Sequence, residues 1–270
     1  MKTVKSRSML ITGGASGIGA ATARLAVARG YQVLVADINY RGARSVAKTI
    51  GTGAAAVALD ITDGEQWRRA LDEGWERFGA LDVLVNNAAV VFTGPAQEVS
   101  IKNHQRTLDV NYMGPLRGML AALPRFQRQG FGHFVTVCSM TAFLPFPGLA
   151  SYAAAKHALR AFHHALALEQ RQTPLKFTIV HPTSTETPML EAEARSEVAL
   201  AFAVPAMSAE AVGTVILDSM EKQAVEVYMP PERGKIVRRV GTNPRSLREM
   251  VIRGEALGEQ RLRARRGARA

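Results

Sequence analysis

Cysteine is almost absent from this chain: among 270 residues only Cys138 carries a thiol. One thiol excludes an intrachain disulfide and any zinc cluster built on cysteine. No other grouping has metal-ligand spacing, so no metal is expected. Long apolar runs are missing too. Nowhere do about 18 apolar residues follow one another, so no helix is expected to span a bilayer. The opening segment, MKTVKSRSMLITGG, lacks an apolar stretch behind its basic residues, which argues against a secretory leader. With the lone thiol, this reads as a protein of a reducing, cytoplasmic compartment. No internal repeat is evident, and no linker rich in proline, glycine or serine interrupts residues 1–231.

What is present is an ordinary globular balance, 47% hydrophobic and 21% charged, with enough apolar mass for a sizeable core. The net charge of +11 is unevenly placed. Residues 232–270 hold 12 basic and 4 acidic residues, so +8 of it sits there on a nearly balanced body. A protein that coats nucleic acid would spread that charge and interleave aromatics with it, so no nucleic-acid partner is expected. We expect one domain over 1–231 and a basic C-terminal extension over 232–270. Leu247, Met250, Val251 and Ile252 could form a small apolar stripe in the extension. Ile236, Val237 and Val240 could pack beside the substrate loop. The last stretch, RLRARRGARA, has little beyond Leu262 to bury, so residues 258–270 are expected to be solvated and dispensable. A weak peripheral contact with an anionic membrane surface and a subunit contact are the alternatives.

The body alternates strand-like and helix-like segments. Apolar runs at 8–12, 31–37, 54–60, 81–87, 133–139, 175–181 and 225–229 predict strands. Helical pattern fills 17–29, 40–50, 63–78, 98–129, 150–171 and 208–222, with Pro115 and Pro124 bending or ending the fourth. The strands read as continuous Val, Ile, Leu and Ala, as expected when both faces are covered. The prediction is α/β: a doubly wound parallel sheet, the Rossmann fold.

TGGASGIG at 12–19 follows the first strand and opens a helix. Gly13, Gly17 and Gly19 allow a tight turn and close approach to a pyrophosphate, with Ser16 and Ile18 between them and a helix N-terminus beyond. Asp37 ends the second strand, at the distance where an acidic residue accepts ribose hydroxyls and repels a 2′-phosphate. That favours NAD as the cofactor over NADP. Arg41 and Arg44 are close in sequence and read as a solvated helix face.

In its spacing, this segment resembles the short-chain dehydrogenase/reductase family, in its short single-domain branch, over about residues 8–230. NNAA at 86–89 is similar to the family's NNAG, with Ala89 in place of glycine, and puts Asn87 at the cofactor. Asp60 and Ile61, after the third strand, fall where the family meets adenine. Asn111 matches the family's active-site asparagine, with a proton-carrying water implied. Ser139 ends the fifth strand, and Tyr152 and Lys156 form the YxxxK pair. HPTSTETPM at 181–189 is similar to PGxVxTPM, with Thr183 for glycine and Thr185 for the aliphatic residue; Thr187 matches the threonine that holds the nicotinamide carboxamide. The resemblance implies a homodimer or homotetramer.

The residue types suit the chemistry. Tyr152 and Lys156, four apart on a helix, share one face. A free phenol titrates near pH ~10, and a neighbouring ammonium lowers that. Tyr152 would then accept the alcohol proton while hydride leaves for the cofactor, and Ser139 would hold the substrate oxygen. Lys156 would also grip the nicotinamide ribose. Three apolar segments beyond the strand ends, Val90–Phe92, Met140–Leu149 and Met189–Met207, favour a hydrophobic alcohol or ketone, such as a steroid or retinoid. His157, His163 and His164 read as packing or solvated, and His181 as structural with substrate contact as the alternative. The rival function is a nonenzymatic dinucleotide sensor or interaction protein on the same fold.

Overall fold

The computed structural model describes residues 7–267. The leader reading of residues 1–6 and the last three residues of the tail lie outside this range. Seven strands form the sheet: β1 (Ser8–Thr12), β2 (Gln32–Asp37), β3 (Ala54–Ala58), β4 (Val83–Asn86), β5 (His133–Val137), β6 (Lys176–Pro182) and β7 (Glu226–Met229). Every adjacent pair is parallel, in the order β3-β2-β1-β4-β5-β6-β7. The doubly wound α/β expectation holds.

Successive strand residues point to opposite faces, so each strand feeds two cores. Met9, Ile11, Val33, Val35, Val83, Val85, Val135 and Val137 pack one way, against α1 (Gly17–Ala28) and α8 (Ala209–Glu221). Leu10, Leu34, Leu84 and Phe134 pack the other way, against α3 (Gly64–Phe78), α5 (Gly114–Gln129) and α6 (Ala150–Glu169). Trp67 lies wholly inside this second core, its indole N–H donating to the Ile61 carbonyl at 2.9 Å. α2 (Tyr40–Ile50) completes the first layer.

The long helical stretch at 98–129 breaks differently from the expectation. α4 (Ile101–Leu108) runs into one π-helical turn, Asp109–Met113, before α5. Pro115 sits in the first turn of α5, where its missing N–H costs nothing, and Pro124 lies inside the helix without ending it.

The tail departs most from expectation. After α7 (Pro188–Arg195) and a short 3-10 turn at Ala199–Phe202, the chain returns with α9 (Arg233–Gly241) and α10 (Pro244–Gly267). Both are packed on the body. Val237 and Val240 are buried with Phe143, whereas Ile236 is half exposed. Leu262 is 5% exposed, in a cluster with Tyr152, Leu190 and Phe202. Arg261 donates to the Ala203 carbonyl at 2.6 Å. Arg265 and Arg266 pair with Glu186 and Glu197, each at 2.7 Å. The solvated end is therefore corrected over the described residues: arginines that looked like surplus charge are paired with carboxylates some 70 residues earlier in the chain.

The docking is close. A Cβ on Gly258 would lie 1.9 Å from the Ala199 carbonyl oxygen. We expect Gly258→Ala to cost about 1–3 kcal/mol and Leu262→Ala about 2–4 kcal/mol in urea unfolding. Loss of residues 258–270 is expected to lower the thermal midpoint; an unchanged midpoint would mean that the end of α10 beyond Leu257 contributes nothing to the body.

Candidate active site

The sheet reverses its winding between β1 and β4, and the cleft opens beyond their C-terminal ends. Thr12 fastens the two ends together. Its buried hydroxyl donates to the Val85 carbonyl at 3.3 Å and accepts from the N–H groups of Asn87 and Ala88 at 3.0 and 3.1 Å. The Asn87 amide returns hydrogen bonds to the Thr12 and Gly13 carbonyls at 2.9 and 3.2 Å. Gly17 lies at φ +52°, and a Cβ there would stand 3.0 Å from the Thr187 methyl. Ser16 caps α1 without a side-chain hydrogen bond, so no side chain covers the first-turn N–H groups.

One continuous cavity of about 1180 Å³ joins these elements. Gly13, Ser16, Gly17, Ile18, Asp37, Asp60, Ile61, Asn87, Tyr152, Lys156, Thr185 and Thr187 all line it. Gly19 does not. It packs inside, where a Cβ would stand 2.2 Å from the Gly13 carbonyl oxygen, so its place is in the loop's own packing. Asp37 accepts from the N–H groups of Ala15 and Asn39 at 3.0 and 2.8 Å and keeps an edge on the cavity. Arg41 and Arg44 are exposed and are not among the lining residues. Asp60 is buttressed by Thr62 at 2.7 Å and by Arg106 at 3.6 Å. Thr187 caps α7, and its hydroxyl donates to the Thr185 carbonyl at 3.1 Å.

Ser139 lies just beyond β5, while Tyr152 and Lys156 share one face of α6; all three line the cavity. Ser139 stands beside the Tyr152 phenol, and its hydroxyl accepts from the Thr141 N–H at 3.1 Å. The Lys156 ammonium donates to the Val137 carbonyl at 3.2 Å and stands 5.6 Å from the centre of the Tyr152 ring. The protein by itself does not deliver the expected lowering of the phenol pKa. Burial raises it, charge on Glu193 raises it further, and the neighbouring Ser139 hydroxyl opposes them. Burial also lowers the Lys156 ammonium.

Asn111 is brought close but does not line the cavity. It is fully buried in the π turn, and its amide clamps the main chain of Val90, accepting at 2.9 Å and donating at 2.8 Å. Its side chain thus holds the loop after β4. π turns recur at functional positions because they displace one residue from the regular helix pattern.

Three features escape sequence reasoning. First, His181, wholly buried, stands 3.0 Å from the Ser139 carbonyl oxygen and 3.0 Å from a Glu226 carboxylate oxygen, and it does not line the cavity. Glu226 also receives Arg160 at 2.7 Å, Tyr228 at 2.9 Å and His164 at 3.1 Å. Burial works against charge on both partners, but these hydrogen bonds hold His181 at about 9 and Glu226 far below the carboxylate range. His163 and His133 have no such carboxylate contact, and burial lowers them to about 3 and about 4. Second, α9 and α10 wall the cavity, with Val237, Val240, Met250 and Leu257 beside Arg233, Arg239 and Arg253. Third, Glu193 lines it from α7. Spacing signals none of these, because each contact joins distant parts of the chain. Among the described residues no group of His, Cys, Asp and Glu could hold a metal, and no helix is long and apolar enough to cross a membrane.

Residues 7–198 match the family model for short chain dehydrogenases. Trans-4-hydroxycyclohexanecarboxylate dehydrogenase of Sinomonas cyclohexanicum is 34% identical over 195 residues, which covers 69% of this chain and 75% of that protein. The 3-alpha-(or 20-beta)-hydroxysteroid dehydrogenase of Mycobacterium tuberculosis (strain ATCC 25618 / H37Rv) is 33% identical over 182 residues, or 67% of this chain and 70% of the relative. In fold, the crystal structure of a short chain dehydrogenase/reductase from Burkholderia phymatum in complex with NAD is similar, with a TM-score of 0.82 at 23% identity, covering 90% of this chain and 95% of that one. The glycine loop, the parallel sheet and the Ser-Tyr-Lys floor thus accompany a match along most of the body: the chain belongs to the short chain dehydrogenase family of oxidoreductases.

Proposed function

We propose that this protein interconverts a hydrophobic secondary alcohol and its ketone, with NAD(H) as hydride carrier. The observation that carries the reading is the meeting of Ser139, Tyr152 and Lys156 in one cavity whose other walls are mainly apolar. The uncovered start of α1 suits a pyrophosphate. Asp37 at the cavity edge suits a ribose diol, and the exclusion of Arg41 and Arg44 from the lining favours NAD over NADP.

Bound NAD⁺ supplies a hydride acceptor and a positive charge beside the phenol. In this reading Tyr152 takes the hydroxyl proton of the alcohol, and in reverse it returns that proton to the forming alkoxide. Charge on Lys156 favours the phenolate, which offsets the burial that raises it. Ser139 donates to the substrate oxygen. Its main chain is held by His181, itself fixed by Glu226, so the edge of the sheet sets the height of the hydroxyl. Asn111 acts by holding the Val90 segment against the cavity.

The walls include Val91, Phe92, Leu144, Phe146, Met189 and Met250. They favour a ring or lipid-like alcohol over a sugar phosphate. Two of the relatives are named for a hydroxycyclohexane and a hydroxysteroid, both ring alcohols, which agrees. A homodimer or homotetramer belongs to the same proposal. A sensor without turnover would need no serine and lysine beside the phenol, so the enzymatic reading is preferred.

Calorimetric titration should find NADH bound more tightly than NADPH, and Asp37→Ala should narrow the gap; tighter NADPH binding to the unaltered protein would mean the ribose site is misread. Tyr152→Phe should keep NADH affinity and reduce turnover by roughly 10²–10⁴-fold or more. Ser139→Ala should lower the rate roughly 10²–10³-fold, and Lys156→Ala should harm both binding and rate. Near-normal turnover by the Tyr152→Phe protein would overturn the mechanism.

A third expectation concerns the buried ion pair. His181 titrates at about 9 when folded and at 6.5 as a free group. A raised pKa stabilises the fold fully below about 6.5, and that contribution disappears as pH rises through about 9. It is on the order of 3 kcal/mol. Stability towards urea should therefore fall between pH 7 and 9.5, and Glu226→Gln should reduce that slope while lowering kcat. A slope undiminished by Glu226→Gln would assign it elsewhere.

A further inference from the structure

The segment 186–197, carrying α7, has four acidic residues: Glu186, Glu191, Glu193 and Glu197. Three of them face α10, where Arg265 meets Glu186 and Glu191 and Arg266 meets Glu197. Glu193 faces the other way. It is 9% exposed and lines the cavity that Tyr152 lines. Its main-chain carbonyl accepts from Val198, but among the described residues no hydrogen bond or ion pair to its carboxyl is found. Its near neighbours along the helix, Met189, Leu190 and Ala194, belong to the apolar cluster around Tyr152.

A carboxyl in such a place is costly, because burial penalises its charged form, and a leucine would fill the same wall without that cost. Its oxygens keep an edge on the cavity. Burial alone pushes the carboxyl up to about 7, so it is readily neutral. It stands near enough to Tyr152 for its charge to act on the phenol. A group of this kind is satisfied when a ligand enters. A neutral carboxyl both donates and accepts, as a hydroxyl does, and its neighbours Met189, Leu190 and Ala194 offer no charged partner.

We propose that Glu193 is the polar recognition point of the substrate chamber and binds a second hydroxyl of the substrate, which makes the preferred substrate a hydrophobic diol or hydroxy ketone. The inference rests on the dehydrogenase reading above and narrows its substrate class. Tyr152 and Ser139 hold the reacting oxygen, while Glu193 holds another oxygen further along the carbon frame. It also orients the ring, so that one of two like hydroxyls is presented to the base. A pocket that hydrogen-bonds a hydroxyl discriminates strongly against an analogue lacking it, because the pocket's own polar group is then left unpaired.

The test uses the full-length protein with NAD⁺ and matched pairs of mono-ol and diol: cyclohexanol with trans-1,4-cyclohexanediol, and a steroid mono-ol with its diol. The readouts are kcat/KM and quenching of NADH fluorescence by the corresponding ketones. The wild type should favour the diol roughly tenfold or more. Glu193→Leu should abolish that preference by losing diol turnover far more than mono-ol turnover, keep NADH affinity and show an equal or higher thermal midpoint. Glu193→Gln, which still donates and accepts, should keep most of the preference, and Glu193→Met serves if the leucine protein fails to fold. A wild type with no diol preference, or a preference that survives both apolar variants, overturns the role of Glu193 and leaves the dehydrogenase reading standing. Preference for trans-4-aminocyclohexanol over the diol overturns the hydroxyl assignment. If no alcohol is oxidised and no ketone quenches, the dehydrogenase reading falls, and this inference falls with it.

Discussion

Everything at the site depends on one separation. β1 and β4 are hydrogen-bonded neighbours, yet the chain leaves them in opposite directions, which opens a cleft at their C-terminal ends. Backbone groups at such a rim cannot all be paired by the ladder. The hydroxyl of Thr12 and the amide of Asn87 take up those groups, so the strand ends stay fixed without closing the cleft. The glycine loop then sits on a floor that is already rigid, and the uncovered start of α1 points into a space with a defined shape.

The strands and the phosphate loop were legible in the sequence because their signals are local. A buried parallel strand reads as a run of branched aliphatics, and a loop that must approach its ligand reads as glycines between a strand and a helix. The residues lining the cavity on the dinucleotide side follow from those elements. Asn111 was legible as a site residue but not in its contact, since an amide aimed at Val90 and one aimed at a water look alike in sequence. Glu193 and Glu226 resemble ordinary solvated carboxylates; nothing in their neighbours says that one faces a chamber and the other gathers four donors. The tail was the hardest part. Its apolar content is thin, and what orders it is a set of arginines matched to acids far back in the chain, a pairing that composition cannot reveal.

These hidden contacts share a direction: they stiffen the substrate half. The Glu226 cluster fixes the outermost pair of strands and, through His181, the carbonyl of Ser139. The ion pairs of α10 fix the segment that carries Glu193. The dinucleotide half rests on backbone geometry that tolerates few residue types. The substrate half rests on side-chain pairs that could be exchanged one at a time, which is where a scaffold of this kind adapts to new ligands.

The 1.9 Å gap that a methyl at Gly258 would face also bears on motion. Two helical elements in contact at that distance have no room to slide past each other. The 3-10 turn at Ala199–Phe202, the adjoining α7 and the far end of α10 are therefore bound to travel together. Any opening of the chamber on this side would thus have to move several elements together rather than one short loop. Opening of that size belongs to the slower, collective motions of proteins, on a scale of about microseconds to milliseconds. Such a gate would let the exchange of bulky ligands, rather than the proton and hydride steps, set the pace of each cycle.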